Sequence, residues 1–384
     1  MSKFLFIVQG EGRGHMTQAI SLYETLTAAG HQVVATMVGT AEGREVPDFF
    51  QQKVDVPMRT FPSPSLVYGM GKSVNLLQTV LRPLLKAKKY WKSTELVHET
   101  VEKYKPDVIV NFYEMVCGFY YARYRSQIPC VNIAHQYLLL HKNFVSLPDK
   151  WFDRVLLNMN TKLTMIGSTR KLALSFVEMP NDTAQNIYVT PPLLRNEVRD
   201  LVPKQEPYLL AYITHHRLSE DIIEWHRNHR DVKIHCFWDK KDFGTEWHFS
   251  ENLIFHQINA EKYLEMMQNC TGLVSTAGFE SVCEAMYLGK PVMMIPVPNH
   301  IEQAINALDA TRAGAGITDT GFDFSKFLEY LPLHKDVSHD FQNWHAQTGR
   351  MFLKHLEELA QPRQEVYSLS GKLPRNPLRW LALR

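Results

Sequence analysis

The chain has 384 residues, 45% hydrophobic and 21% charged, with a formal net charge of +2. That length suits two domains with separate cores, and the near-balanced charge excludes a global basic field for nucleic acid. The five cysteines, Cys117, Cys130, Cys236, Cys270 and Cys283, are odd in number and form no C-x-x-C pair, so they fit a reducing compartment better than a disulfide framework.

Residues 4–8 read as an apolar strand that runs into Gln9-Gly10-Glu11-Gly12-Arg13-Gly14-His15. The strand is too short for a signal h-region, and no stretch has the length of a transmembrane helix, so a cytoplasmic protein is expected. Residues 16–26 read as a helix. Further strands are expected at 32–38, 108–111, 130–134, 163–166 and 187–190. A charged stretch with Pro203 and Pro207 but no apolar period follows. A second series of strands is expected at 208–214, 232–237, 253–255, 272–275 and 292–295. Nearly all-apolar strands alternating with helices imply doubly wound α/β units with parallel sheets. Two such domains are expected, 1–197 and 198–338. Residues 339–384 follow, with 339–359 read as one long helix and the rest as a basic tail.

Glycines after a first strand allow a tight turn and bring backbone N–H groups close to a ligand. A dinucleotide fingerprint would need glycine where His15 stands and an acid closing the second strand; Gly39-Thr40 stands there instead, which disfavours a dehydrogenase. His15 lies at the mouth of a doubly wound sheet, where ligands bind. An imidazole there suits a general base, and equally a residue that only packs at a helix start.

The most informative stretch is Val274-Ser275-Thr276-Ala277-Gly278-Phe279-Glu280-Ser281-Val282-Cys283-Glu284-Ala285-Met286-Tyr287-Leu288-Gly289-Lys290-Pro291, followed by Pro296 and Glu302-Gln303-Ala304-Ile305-Asn306-Ala307. It reads as strand, small-residue turn, helix, glycine stop, strand, loop and helix. The turn at Thr276-Ala277-Gly278 places backbone N–H groups at a helix N-terminus, a seat for a diphosphate. Glu284 stands just over one turn into that helix, where its two oxygens suit ribose hydroxyls. Glu302, Gln303 and Asn306 share a helix start and suit sugar hydroxyls.

These residues resemble the signature of nucleotide-sugar glycosyltransferases, G-x-x-S-x-x-E-A-x-x-x-G-x-P followed by P-x-x-x-[DE]-Q-x-x-N-A, in which Ser281 is also a fixed position. Gly10 to His15 resembles the acceptor loop of the same superfamily. Pro106-Asp107-Val108-Ile109-Val110, His135-Gln136 and Pro191-Pro192-Leu193-Leu194-Arg195 resemble the bacterial peptidoglycan N-acetylglucosaminyltransferase and its relatives. The resemblance spans about residues 3–318 and implies the GT-B fold, two Rossmann-like domains facing a cleft. It implies a nucleotide-sugar donor, expected to be a UDP-sugar, on Thr214, His215, Thr276, Ala277, Gly278, Ser281, Glu284, Glu302, Gln303 and Asn306. An acceptor is implied beside Gly12, Arg13, Gly14, Glu114, His135 and Gln136, with His15 as the base of an inverting transfer. The final helix of this fold often crosses back to the first domain. In plant and animal members an aspartate after the fourth strand partners the histidine; here that region reads Asn111-Phe112-Tyr113-Glu114, which leaves the partner of His15 open. A nucleotide-sugar 2-epimerase and a non-catalytic sugar-nucleotide-binding protein are the alternative readings.

The histidines at 215, 216, 226, 229 and 235 fit no standard metal spacing, and surface or cap roles suit them better. No D-x-D occurs, so neither a metal nor another cofactor is expected, and helix N–H groups are expected to carry the diphosphate charge. Residues 57–93 contain no acid but carry Arg59, Lys72, Arg82, Lys86, Lys88, Lys89 and Lys92, with leucines at helical spacing. The tail 372–384 also lacks acids. A core-packed helix with a solvated basic face accounts for the first stretch. A peripheral helix on an anionic membrane surface, serving a lipid-linked acceptor, is the functional expectation.

Overall fold

A computed structural model describes residues 1–41, 45–64, 86–145, 147, 150–240 and 242–361. The described residues form two seven-stranded sheets. The first comprises β1 (Lys3–Gln9), β2 (Gln32–Thr40), β3 (Met58–Pro62), β4 (Val108–Phe112), β5 (Cys130–Ala134), β6 (Arg170–Leu174) and β7 (Ile187–Thr190). Its order is β3-β2-β1-β4-β5-β6-β7, every pair parallel. The second comprises β8 (Leu209–Tyr212), β9 (Ile234–Trp238), β10 (Glu246–His248), β11 (Leu253–Gln257), β12 (Gly272–Ser275), β13 (Val292–Met294) and β14 (Gly316–Thr318). Its order is β10-β11-β9-β8-β12-β13-β14, parallel except where β10 runs against β11.

The helices are α1 (Gly14–Ala28), α2 (Asp48–Lys53), α3 (Ala87–Tyr104), α4 (Met115–Tyr124), α5 (Trp151–Thr164), α6 (Asn196–Arg199) and α7 (Ser219–Arg227). They continue as α8 (Ala260–Asn269), α9 (Phe279–Tyr287), α10 (Ile301–Arg312), α11 (Phe324–Tyr330), α12 (Ser338–His345) and α13 (Thr348–Ala360). The central strands are buried along their length; β4, β5, β9 and β12 have no exposed residue. Helices on both faces cover them, which is why their sequences are apolar without alternation.

One expected strand is wrong. Residues 163–166 form the end of α5 and the following turn, and the strand is β6. Asn111 and Asn132, on neighbouring strands, both donate to the Thr164 carbonyl, at 2.9 Å each. They satisfy a helix-end acceptor that would otherwise be orphaned. Gly167, at φ +77°, then turns the chain. The edge strands β3, β10 and β14 were not expected from sequence; each has three to five residues, too few to show a period.

The expected single helix at 339–359 is two helices, broken at Ala346-Gln347. The break lets each half serve a different partner. Gln342, on α12, donates to the Tyr287 carbonyl of α9. On α13, His355 and Glu358 both contact Arg170, and Glu357 meets His31. Trp344 sits between, donating to the Ser175 carbonyl at 3.0 Å and packing with Tyr137 and Ile305 in one buried cluster. The basic stretch 72–85 and the tail 362–384 lie outside the described residues.

Trp344→Ala should remove this clamp. Truncating a buried tryptophan costs about 3–5 kcal/mol, and the Ser175 carbonyl loses its donor. A Tm several degrees below that of the parent is expected in a thermal melt; an unchanged Tm would show that the C-terminal helices do not hold the two domains.

Candidate functional site

The carboxyl ends of the two sheets face a cleft of about 280 Å³. This is where a doubly wound sheet leaves helix N-termini and loops free to meet a ligand. Glu11, Gly12, Arg13, Gly14, His15 and Gln18 line one wall, and Gly278, Glu280, Ser281, Glu284, Glu302 and Asn306 line the other.

The first wall is shaped by glycines. A Cβ at Gly10 would lie 2.5 Å from the Gly39 carbonyl oxygen, and Gly12 has φ +85°. Helix α1 then starts with no side-chain cap. His15 stacks on Tyr113, ring centroids 5.6 Å apart, and its Nδ1 lies 3.2 Å from Gln18 Oε1. Desolvation holds the imidazole down at about 4, against a weaker opposing pull from Gln18. It is therefore neutral across the physiological range.

The second wall is built on a strained turn. Ala277 has φ +59°, a left-handed conformation rare for a residue with a Cβ. Asn306 holds it, donating from Nδ2 to the Ala277 carbonyl at 3.2 Å. Gly278 is exposed, and α9 begins beyond it with no side-chain cap. Its first N–H groups and its dipole thus present a positive end to the cleft. Thr214 lines the cleft and its hydroxyl accepts from that of Thr276, which is buried behind it, at 3.4 Å.

Glu284 is buried, and its Oε1 takes both Nε and Nη2 of Arg195 at 2.6 Å. Glu302 accepts from Gln136 Nε2 at 3.0 Å, and desolvation raises its carboxyl to about 7. His135 stacks on Phe279 at 4.2 Å and donates from Nδ1 to the Leu174 carbonyl. Its Nε2 lies 3.8 Å from Asp309. Burial pushes His135 down to about 4 and Asp309 up to about 7.

Five sequence-selected residues stand off the cleft lining: Thr276 and Ala277, buried behind Gly278, and Glu114, Gln303 and His215. Glu114 caps α4 by accepting from the Val116 N–H at 2.9 Å and from Ser63 Oγ at 2.6 Å. It contacts Ser63 rather than His15, and its carboxyl is raised to about 7 by burial. Gln303 Oε1 accepts from the Val297 N–H, which fixes the loop before α10. His215 caps the turn His216–Leu218 and stacks on His216. Conversely, the cleft includes Glu11, Gln18, Arg195 and Glu280, which sequence reasoning did not select. Arg195 stood in a quoted segment, but nothing local signals its reach to a helix 89 positions away. Among the described residues, no three His, Cys, Asp or Glu side chains converge as metal ligands would.

No curated protein matches the chain. Among solved structures, the glycosyltransferase of kitacinnamycin is similar with a TM-score of 0.63 at 14% identity, covering 94% of this chain and 99% of that one. The Phytolacca americana UGT2, complexed with UDP-2-fluoro-glucose and pterostilbene, gives 0.62 at 11% identity, covering 94% and 100%. Acinetobacter baumannii MurG gives 0.58 at 12% identity, covering 93% and 100%. At such identities these likenesses establish the fold, the two-domain GT-B arrangement. The family model for glycosyl transferase family 1 matches residues 2–332, strands of both sheets and both walls of the cleft included. The chain therefore belongs to glycosyl transferase family 1, and it is a glycosyltransferase acting with nucleotide-sugars.

Proposed function

We propose that this glycosyltransferase moves a sugar from a UDP-sugar to an acceptor hydroxyl by direct, inverting displacement without a metal. The observation that carries the reading is the opposition, across one cleft, of a neutral imidazole at His15 and the uncapped N-terminus of α9. The acceptor oxygen bonds to the anomeric carbon while its proton passes to His15 Nε2. The bond from that carbon to the phosphate oxygen breaks, and the electron pair leaves on the diphosphate. The N–H groups at 276–278 and the α9 dipole stabilise the departing charge. Glu284, oriented by Arg195, accepts from the ribose hydroxyls. Glu302 and Asn306 face the sugar, Gln303 supports them through its loop, and Thr214 lies beside the diphosphate. Gly12, Arg13, Gly14, His135 and Gln136 bound the acceptor side.

The acceptor is proposed to be lipid-linked. Helix α5 exposes Trp151, Phe152, Val155, Met159 and Leu163 along one side, beside Lys150, Arg154 and Lys162. Aromatic and aliphatic groups flanked by basic ones match an anionic lipid surface. Among the described residues no helix is long and apolar enough to cross a membrane, so binding is peripheral in this reading.

Thermal-shift screening of UDP-sugars identifies the donor, since a bound donor raises stability. With that donor and an acceptor, UDP release should persist in EDTA, and His15→Ala should lower turnover by roughly two to four orders of magnitude with donor affinity unchanged. Acceptor-independent conversion of the sugar would instead mark an epimerase, and near-normal turnover in His15→Ala would remove the base.

Glu284→Gln keeps an oxygen for Arg195 but loses the charge. Donor binding should weaken by about 1.5–3 kcal/mol, the worth of a charge-assisted hydrogen bond. Calorimetric titration measures this, and equal affinity would remove Glu284 from the donor site.

In cosedimentation with phosphatidylglycerol vesicles, the protein should pellet at low salt and be released at high salt. Trp151→Ser with Phe152→Ser should lower the bound fraction. Protein that stays in the supernatant at low salt would end the membrane reading.

A further inference from the structure

A base needs its ring held in one tautomer, and the contacts that do this for His15 come partly from the opposite domain. An amide oxygen only accepts, so the 3.2 Å contact with Gln18 Oε1 puts the ring proton on Nδ1 and the lone pair on Nε2. Gln18 is 3% exposed, and its Nε2 donates to Glu280 Oε1 at 2.5 Å. A glutamine side chain has two ends of opposite character. Flipped, it would offer N–H groups to His15 and its oxygen to Glu280. The acceptor oxygen of Glu280 selects the orientation in which oxygen faces the imidazole.

Glu280 is held in turn. It sits in the first turn of α9, against the backbone of α1: a Cβ at Gly14 would lie 3.3 Å from Glu280 Cγ. Its other oxygen, Oε2, is buried without a hydrogen-bond partner among the described residues. Desolvation raises its carboxyl to about 8, opposed by the Gln18 contact. Any proton it carries sits on the unpartnered Oε2, so Oε1 remains the acceptor for Gln18 Nε2.

From these contacts we infer that Gln18 and Glu280 are positioning residues for His15. Glu280 sets the Gln18 amide, Gln18 sets the imidazole tautomer, and the base is complete only while the two domains touch. The inference rests on His15 being the base, as proposed above. Glu11 and Arg13 line the same wall of the cleft, and Tyr113 stacks on the ring, its hydroxyl pushed up by burial and by Glu302. Glu284 and Arg195 flank Glu280. The Gln18 hydrogen bond is the side-chain contact that acts on the titration of His15.

Gln18→Met and Glu280→Met remove the two contacts at similar volume, and Glu280→Gln keeps an acceptor oxygen. Either methionine variant should lower kcat roughly 10- to 100-fold, the range for a misplaced catalytic group, with donor KM little changed. The double methionine variant should be no slower than the slower single one, because both act through one ring, and Glu280→Gln should recover most of kcat. Nitrogen-15 NMR of histidine-labelled full-length protein gives a readout that needs no turnover. The His15 signal, assigned by its loss in His15→Asn, should show protonated Nδ1 in the parent and mixed tautomers in Gln18→Met.

A double variant as slow as the product of the singles, or a tautomer unmoved by Gln18→Met, overturns the inference. The two readings fail separately. If His15→Ala abolishes turnover while both methionine variants are as fast as the parent, the base stands and its positioning by Gln18 and Glu280 falls. If His15→Ala keeps turnover, the base itself falls.

Discussion

Three glutamates of the second domain are each gripped by a side chain of the first. Arg195 holds Glu284, Gln18 holds Glu280 and Gln136 holds Glu302. The cleft owes its shape to these polar contacts. Together with the packing of Phe279 on His135 and Phe176, they set the uncapped ends of α1 and α9 facing each other, so that the anion seat and the imidazole share one space. The partners differ in kind. A guanidinium offsets the charge of a buried carboxylate, whereas an amide supplies a hydrogen bond and no charge. Burial accordingly leaves the two amide-bound acids raised, Glu280 to about 8 and Glu302 to about 7. A carboxyl raised by burial in the closed cleft favours the touching state while it is protonated. That contribution is full below about 4.5 and fades as pH rises through about 7 to 8.

Polar closure suits an enzyme whose cleft must admit a charged donor and release a charged product. Opening an apolar interface of the same extent would expose surface that water disfavours. Opening this one exposes acids and amides that water solvates well, although it also uncovers Phe279, which packs on His135 and Phe176 across the domains. Permanent attachment is left to the C-terminal helices, where Trp344, Phe352 and Leu356 are buried. The two tasks, staying joined and coming apart, thus fall to different residues.

Much of the architecture was legible in the sequence because parallel strands covered on both faces must be apolar throughout. Runs such as those of β1, β4 and β5 announce themselves in that way. The false strand at 163–166 has equally apolar, β-branched letters. What makes it a helix end is tertiary, two asparagines on neighbouring strands waiting for the Thr164 carbonyl. The site divides similarly. Turn and helix-start residues, His15, 276–278, Ser281 and Glu284, could be found because their spacing is local. Gln18, Arg195 and Glu280 could not, since each has its meaning only in the side chain it meets across the cleft. Glu114 was selected for its place after β4, but its carboxylate is spent on capping the next helix and on Ser63.

The main chain passes between the domains twice. It leaves the first after α6, which is tied back by Asn196 to Glu24, and by Lys204 it is bonded to Gln268 in the second. It returns at Ala346-Gln347, between α12 and α13. The two passages lie near each other, for Thr348 contacts the Pro192 carbonyl before α6 and His345 faces Arg199 at its end. Two adjacent tethers act as the two knuckles of a door hinge. They forbid the domains to slide or to twist freely and leave rotation about the line joining them as the soft motion. The far lip of the cleft then swings widest. A long nucleotide-sugar would enter from that lip, and residues nearest the tethers would keep their spacing throughout the swing.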